Sequence, residues 1–315
     1  MTPDLSVIIV SYNTRSLVEG CLRALPSSCR PTSPVEYDTR PELAIEVIVV
    51  DNASADNTVD VLTRDYPSVQ LIANAQNRGF AAATNQGLLC ASGRHVLLLN
   101  PDTEPRPAAL YRLVRFLDEH PSVGAVGARL LNTDGSFQHG CFRFPSLAMS
   151  FLDFFPINHR LTNSRLNGRY PQHWYDKPFP IDHPLGACLM MRREAFADVG
   201  PLDEQFFIYC EEVDWCIRIK RAGWSIYCVP DAEVVHFGAQ STTPRWNTMF
   251  VELHRSRYRL FRKHYSRPFQ SMARLITRAG VLRDMFRLRR SYRKGSLSED
   301  EYNRRMKTYR QVLAL

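Results

Sequence analysis

The sequence has no apolar run long enough to cross a bilayer. Its longest, such as Val7–Val10 and Val47–Val50, are the length of a buried strand, against the roughly 20 residues a spanning helix requires. No signal-peptide pattern opens it: Asp4 stands beside only a short apolar stretch, so the expected location is the cytoplasm. None of the eight cysteines (Cys21, Cys29, Cys90, Cys141, Cys188, Cys210, Cys216, Cys228) forms a C-x-x-C pair. That speaks against a zinc ribbon or a disulfide framework and for small core side chains in a reducing compartment. No internal repeat is visible, and no G-x-G-x-x-G follows the first apolar strand. Ser11-Tyr12-Asn13 stands there instead, which counts against a dinucleotide-binding oxidoreductase. Acids are scarce in one stretch only. Between Arg255 and Lys294, 14 Lys and Arg meet a single acid, Asp284, while the remaining sequence holds 26 basic and 31 acidic residues. The net charge of +8 therefore belongs to one segment.

What is present describes an ordinary globular chain of 315 residues, 44% hydrophobic and 23% charged, which excludes disordered, collagen-like and polytopic membrane classes. Leu5–Val10 and Ile45–Val50 are β-branched runs without polar alternation, as strands buried on both faces require. Helical spacing over Arg15–Leu25 ends at Pro26, and residues 26–42 form a Pro/Ser/Thr-rich loop. Thr58–Asp65 and Phe80–Cys90 are helices, and Val69–Ala73 and His95–Leu99 strands. Residues 136–185 are aromatic and irregular, an acceptor-side loop region or a small subdomain. Gly186–Met191 is a strand, Glu211–Ala222 a helix, and Ser225–Val229 and Ala232–His236 two further strands. Helices with Arg-rich faces follow from about 245. Alternation at this rhythm predicts an α/β fold with a mostly parallel sheet flanked by helices. In such sheets the polar residues at strand carboxyl ends face the ligand crevice. Three strand ends qualify: Ser11-Tyr12-Asn13, Asp51-Asn52 and Asn100-Pro101-Asp102. One alone would read as a turn, but three from one sheet point to a site.

Six ordered motifs sharpen this reading: VIIVSYN at 7–13, VIVVDNASADNT at 47–58, NRGFAAATNQGL at 77–88, LLLNPDTE at 97–104, GACLMMRREAFADVGPLDEQFFIYCEEVDWCIRIKRAGW at 186–224 and VPDAEVVHFG at 229–238. Over residues 5–241 the chain resembles glycosyltransferase family 2, in particular its bacterial rhamnosyltransferase-like members. The resemblance implies the GT-A fold over 1–241, with 242–315 as a basic helical extension. It also implies an inverting transfer of a sugar from a nucleotide diphosphate, the preferred donor being dTDP-L-rhamnose. UDP-sugars such as galactofuranose or N-acetylglucosamine, and a mannose donor, stay open. The acceptor would be a saccharide or lipid-linked saccharide of a bacterial surface polysaccharide.

Charge builds on the leaving diphosphate as the glycosidic bond breaks, and a divalent cation, Mn or Mg, offsets it. The resemblance gives the Asn100-Pro101-Asp102 element that task. Asp102 is the metal ligand, and Asn100 acts through its amide or through water. His236 matches a late metal-binding histidine. Asp51 matches the residue that reads a pyrimidine, with Ser11, Tyr12 and Asn13 lining the same pocket. A carboxylate accepts the imide N–H of uracil or thymine and finds no such donor on cytosine. Asn77, Arg78, Gly79 and Asn85 complete the donor side, Arg78 facing phosphate oxygens and Gly79 permitting close backbone approach. In the acidic cluster Glu211-Glu212-Val213-Asp214, position makes Glu212 the general base, although Glu replaces the family's Asp there. Glu211 is the alternative base, and Asp214 an orienting or capping residue. Crowded acids raise one another's pKa, as a base working near neutral pH needs.

The basic segment 255–294 lies beyond the resemblance. It admits an anionic membrane surface, nucleic acid or a solvated helical face. Its interleaved apolar residues (Leu260, Phe261, Tyr265, Phe269, Leu275, Ile276, Leu282, Met285, Phe286) favour peripheral attachment to the inner face of the plasma membrane over nucleic-acid binding. A transferase-like scaffold that binds a nucleotide sugar without catalysis is the remaining alternative.

Overall fold

The computed structural model describes residues 2–32, 42–238 and 246–315. The chain forms two compact units, Met1–Phe144 with Tyr170–Gln205 and Glu211–Ser241, and Pro145–Arg169 with Phe206–Cys210 and Thr242–Leu315.

The first unit begins with β1 (Leu5–Ser11), α1 (Arg15–Ser28), β2 (Ile45–Asp51), α2 (Thr58–Asp65), β3 (Gln70–Ala73), α3 (Phe80–Cys90) and β4 (His95–Leu99). Each lies within a few residues of its expected span. Helix α1, however, continues through Pro26. The ring removes one N–H, but the hydroxyls of Ser27 and Ser28 donate to the Ala24 and Leu25 carbonyls and complete the last turn. Residues 33–41 of the expected loop lie outside the described residues. Residues 103–131, for which the patterning carried no expectation, form β5 (Thr103–Pro105), α4 (Ala109–Glu119) and β6 (Val123–Leu131). The irregular stretch contributes the short strands β7 (Phe137–Gln138), β8 (Cys141–Phe142), β9 (Phe179–Pro180) and β10 (His183–Pro184). Then come β11 (Cys188–Arg192), α7 (Arg193–Val199), α8 (Glu211–Arg221) and β12 (Ser225–His236). The two strands expected over 225–236 are one, because the register shift between Val229 and Glu233 takes Pro230 and Asp231 into an irregularity without ending the pairing with β6.

The sheet order is β3-β2-β1-β4-β11-β6-β12-β5, with β7 added on β6 and β9 on β12. Strands β3, β2, β1 and β4 are parallel, β11 is reversed, and β6 and β12 run parallel to one another. The carboxyl ends of β1, β2, β4 and β12 and the start of β11 therefore share one edge. Alternation assigns Leu5, Val7 and Ile9 to one face, with Val18, Cys21 and Leu25 of α1 and Leu110, Leu113 and Leu117 of α4. Ile8 faces the other way, in a cluster with Ala81 and Leu88 of α3 and Trp215, Cys216 and Ile219 of α8. Each such fully buried aliphatic side chain contributes about 1.5–3 kcal/mol.

The second unit contains α5 (Leu147–Phe154), α6 (His159–Thr162), α9 (Trp246–His264), α10 (Arg267–Arg293) and α11 (Glu299–Leu313). The expected extension 242–315 is thus one of three segments that build it. Phe154 joins Val251, Val281, Met285, Leu288, Met306, Tyr309 and Val312 in its core. The Ser256 hydroxyl donates to the Ile208 carbonyl at 2.8 Å, and the Arg259 guanidinium lies over the Phe206 ring. Leu260, Phe261 and Met285, read from sequence with the surface apolar residues of the basic segment, are buried. Among the described residues no helix is long and apolar enough to cross a membrane.

Close approach of α3 to the sheet depends on Gly87, where a Cβ would stand 2.6 Å from Cγ2 of Ile8. Alanine is the better helix former by about 1 kcal/mol, yet Ile8 is β-branched and stiff. Gly87→Ala should therefore destabilise the protein by up to about 2 kcal/mol, an overpacking cost of about 1–3 kcal/mol less the propensity gain, measured by urea unfolding.

Candidate active site

The loops after β1 and β2 are built as one piece. Ser11 and Asp51 are register partners, and the Asn52 N–H donates to the Ser11 carbonyl at 2.8 Å. Asn13, with φ 54°, accepts from the Ala55 N–H through its side chain at 2.7 Å. Its own N–H donates to the Ser54 hydroxyl. The N–H of Ser54 donates to Asp51 Oδ2, while Oδ1 of this buried carboxylate has no hydrogen-bond partner. Buried acceptors are seldom left so, and a donor from a bound base suits this one.

Asn52, which the sequence marked only as part of a strand end, organises the third motif. Its amide donates to Asn77 Oδ1 and the Gly79 carbonyl, and its oxygen accepts from the Arg78 N–H and Asn74. Asn74 and Gln86 bond each other twice. The Arg78 side chain is exposed, and Gly79 holds a φ of 86° that favours glycine. Asn85 is not turned toward this surface. Its amide donates to the Leu202 carbonyl and Glu204, and its oxygen accepts from the Leu202 N–H, so it anchors a loop of the protein itself.

At the end of β4 the Asn100 N–H donates to the Ala187 carbonyl. Asp102 is buried, and its backbone carbonyl accepts from the Phe237 N–H. Antiparallel pairing of Thr103 with His236 sets Nε2 of His236 3.7 Å from Oδ1 of Asp102, too far for a hydrogen bond. Gln138 decides the tautomer. Its amide donates to Asn132 and to the His236 carbonyl, leaving Oε1 to accept from Nδ1 of His236 at 2.7 Å. With the proton on Nδ1, the Nε2 lone pair faces a carboxylate, an arrangement that suits a shared cation. Burial pushes the Asp102 pKa up against the opposing pull of His236, and burial pushes His236 down. Among the described residues no group of three or more His, Cys, Asp and Glu could hold a metal. Phosphate and water would supply the remaining ligands, as is usual for Mg and Mn sites.

The acidic cluster opens α8, directly after two residues in left-handed backbone, Tyr209 (φ 70°) and Cys210 (φ 66°). Such strain costs of order 1–3 kcal/mol per residue and collects at functional sites. Asp214 is fully engaged: Arg218 Nε donates to it at 2.9 Å and the same guanidinium reaches the Val199 and Pro201 carbonyls. Glu211 and Glu212 each retain a buried oxygen without a hydrogen-bond partner. Burial, then the charge of Glu212, holds the Glu211 pKa well above the usual carboxylate range, and burial raises Glu212. A Cβ at Gly186 would lie 3.7 Å from the Glu212 side chain. The base candidate therefore meets the segment entering β11, next to Ala187, on which Asn100 is bonded. Arg192 and Arg193 donate to main-chain carbonyls at Val123, Leu117, Gly93 and Ala91.

The ends of β1, β2 and β4, which carry three of the six motifs, thus lie at one edge of the sheet. Residues 6–200 match the sequence model of glycosyl transferase family 2. The chain belongs to this family. An N-acetylglucosaminyl-diphospho-decaprenol L-rhamnosyltransferase of Mycobacterium tuberculosis is 28% identical over 311 residues, covering 93% of this chain and 96% of the relative. The dTDP-rhamnosyl transferase RfbF of Shigella flexneri is 26% identical over 196 residues, 60% and 59% of the two chains. Among solved structures, a Pyrobaculum calidifontis mannosyltransferase in complex with GDP-Man and Mn2+ aligns over 100% of this chain and 86% of its own, with TM-score 0.57 and 17% identity. Staphylococcus aureus TarS 1–349 aligns over 99% and 90%, with TM-score 0.51 and 16% identity. This family 2 protein has the GT-A fold and is a glycosyltransferase.

Two outcomes test the site. For Glu211 in this transferase, the raised folded-state pKa means that folding takes up protons. Stability is then greatest below the unfolded pKa and falls as pH rises toward the folded one. Glu211→Gln should therefore raise Tm at pH 7 and flatten its pH dependence, seen by calorimetry. Gln138→Leu should weaken Mn binding about 10–100-fold, the range for loss of a group orienting a ligand histidine, read by Mn electron paramagnetic resonance with dTDP present. Gln138→Glu, which keeps the acceptor, should recover most of it.

Proposed function

We propose that this glycosyltransferase moves L-rhamnose from dTDP-L-rhamnose, with inversion, to a lipid-linked saccharide acceptor at the cytoplasmic face of the plasma membrane. The observation that carries the reading is the set of buried carboxylate oxygens without hydrogen-bond partners, at Asp51, Glu211 and Glu212, on segments whose ends meet one sheet edge. The names borne by the Mycobacterium and Shigella relatives support rhamnose and dTDP.

Asp51 accepts the imide N–H of thymine, with Ser11, Tyr12 and Asn13 around it. Asn77, Arg78 and Gly79 serve the donor side, Arg78 through its exposed guanidinium and Gly79 by permitting close backbone approach. Asp102 and His236 would hold a divalent cation, which when bound offsets charge on the departing diphosphate. Glu212 takes the proton of the acceptor hydroxyl while its oxygen forms the new bond to the anomeric carbon. The bond from that carbon to the diphosphate oxygen breaks, and its electron pair leaves with dTDP. Asp214, pinned by Arg218, orients the first turn of α8. A UDP-sugar donor is the second reading, since Asp51 meets the same imide on uracil.

A thermal-shift panel of dTDP, UDP, GDP and CDP, with and without Mn or Mg, tests the donor. A ligand at 100 times its Kd adds about 2.7 kcal/mol of stability. The largest metal-dependent shift should come with dTDP, and Asp102→Ala should abolish the metal dependence. No shift with any nucleotide would overturn the donor site. Glu212→Gln should lower transfer about 10²–10⁴-fold with the dTDP shift intact. In the unsubstituted enzyme the base must be deprotonated, so its raised pKa puts the acid limb of the pH–rate profile above the ordinary glutamate range. A fully active Glu212→Gln protein would move the role to Glu211.

A further inference from the structure

Helix α10 carries an apolar stripe on its outward side. Met272, Leu275, Leu282 and Phe286 are 46%, 60%, 55% and 68% exposed, and exposed Ala279 falls between them. At 100° per residue these five positions lie within a sector of about 80° and extend about 21 Å along the helix. The opposite side, with Ala273, Thr277, Gly280, Val281 and Leu288, is buried. The stripe is therefore not the helix's own core face. Exposed arginines border it: Arg274 and Arg278 on one flank, Arg287 on the other, and Arg290 and Arg293 at its C-terminal end. No Asp or Glu is exposed on α10, and its one acid, Asp284, is half-buried.

We infer that this outward face of α10 is a docking surface for an anionic lipid bilayer, into which Met272, Leu275, Leu282 and Phe286 insert between flanking arginines. Each element has its counterpart in an interfacial helix: an apolar strip for the acyl boundary and cations on both sides at headgroup level. Pairing with a second copy of the helix would set arginine rows against each other without acidic partners. Nucleic acid would match the arginines but leave the apolar strip against water or phosphate. The inference narrows the basic segment to one helix face, because Leu260 and Phe261 of α9 are core. It stands apart from the donor chemistry, since every residue it uses lies in the second unit.

The test is co-sedimentation of the full chain with vesicles of phosphatidylcholine alone or of equal parts phosphatidylcholine and phosphatidylglycerol. Binding should be about tenfold stronger to the anionic vesicles and weaken as salt is raised. Leu275→Ser/Leu282→Ser/Phe286→Ser should reduce it to the level of neutral vesicles, with Tm and the dTDP-induced thermal shift unchanged. Phe286→Asp alone should give a partial loss, and Arg278→Gln/Arg287→Gln/Arg290→Gln should remove the preference for anionic lipid. Equal binding to both vesicles would overturn the inference. So would undiminished binding by the triple Ser variant, or an oligomer in sedimentation velocity that this variant dissolves while vesicle binding persists. Failure of the dTDP shift in the unsubstituted protein would count against the donor site and leave this face untouched.

Discussion

Parallel pairing of β1 with β2 and β4 is the constraint on which the site depends. Parallel strands end on the same edge, so Ser11, Asp51 and Asn100 are brought together by backbone register before any side chain acts. Reversal at β11 then returns the chain to that edge at Gly186 and Ala187, where Asn100 and Glu212 meet it. The last return, along β12, delivers His236 to Asp102. A change in the direction of any one of these strands would put its residue on the far side of the sheet.

This arrangement holds polar groups where folding alone would not put them. Asp51, Glu211 and Glu212 keep buried oxygens without partners, and Tyr209 and Cys210 hold left-handed backbone before the acidic pair. Each costs stability, and the apolar packing on both sheet faces offsets it. Carboxylates with structural partners are treated differently: buried Asp214 has Arg218, and Asp118, at the surface, has His95 and Arg94, which hold its carboxyl well below the usual range against partial desolvation. Asp214 and Asp118 thus have their charges met within the protein, whereas Asp51, Glu211 and Glu212 each keep a buried oxygen without a hydrogen-bond partner.

Much of the fold was legible because its signals are local. The unbroken β-branched runs at Leu5–Val10 and Ile45–Val50 report burial on both faces, and helical spacing marks α1, α3 and α8. Expectation and structure part where a contact that the pattern does not reveal, near or distant, overrides the local sign. Pro26 reads as a stop, but Ser27 and Ser28 complete the turn around it. Asn85 reads as a donor-site residue, but Leu202, far along the chain, occupies its amide. Phe154 lies in an irregular stretch with no periodicity to reveal that it packs among Val281 and Met285.

The sequence by itself determined the α/β class, the strand ends that carry Asp51 and Asp102, the acidic cluster at 211–214 and the family. These follow from residue type and spacing along the chain. Only the tertiary structure decided that Gln138 sets the tautomer of His236, that Asn52 binds the third motif to the second, and that Asp214 is paired while Glu211 and Glu212 keep open oxygens. It alone divided the apolar residues of the basic segment between a buried face and the exposed stripe of α10. The physical reason is the same throughout. Charge state, hydrogen-bond satisfaction and exposure are properties of neighbours in space, whether those neighbours lie one helical turn away, as for Asp214 and Arg218, or 98 residues away, as for Gln138 and His236.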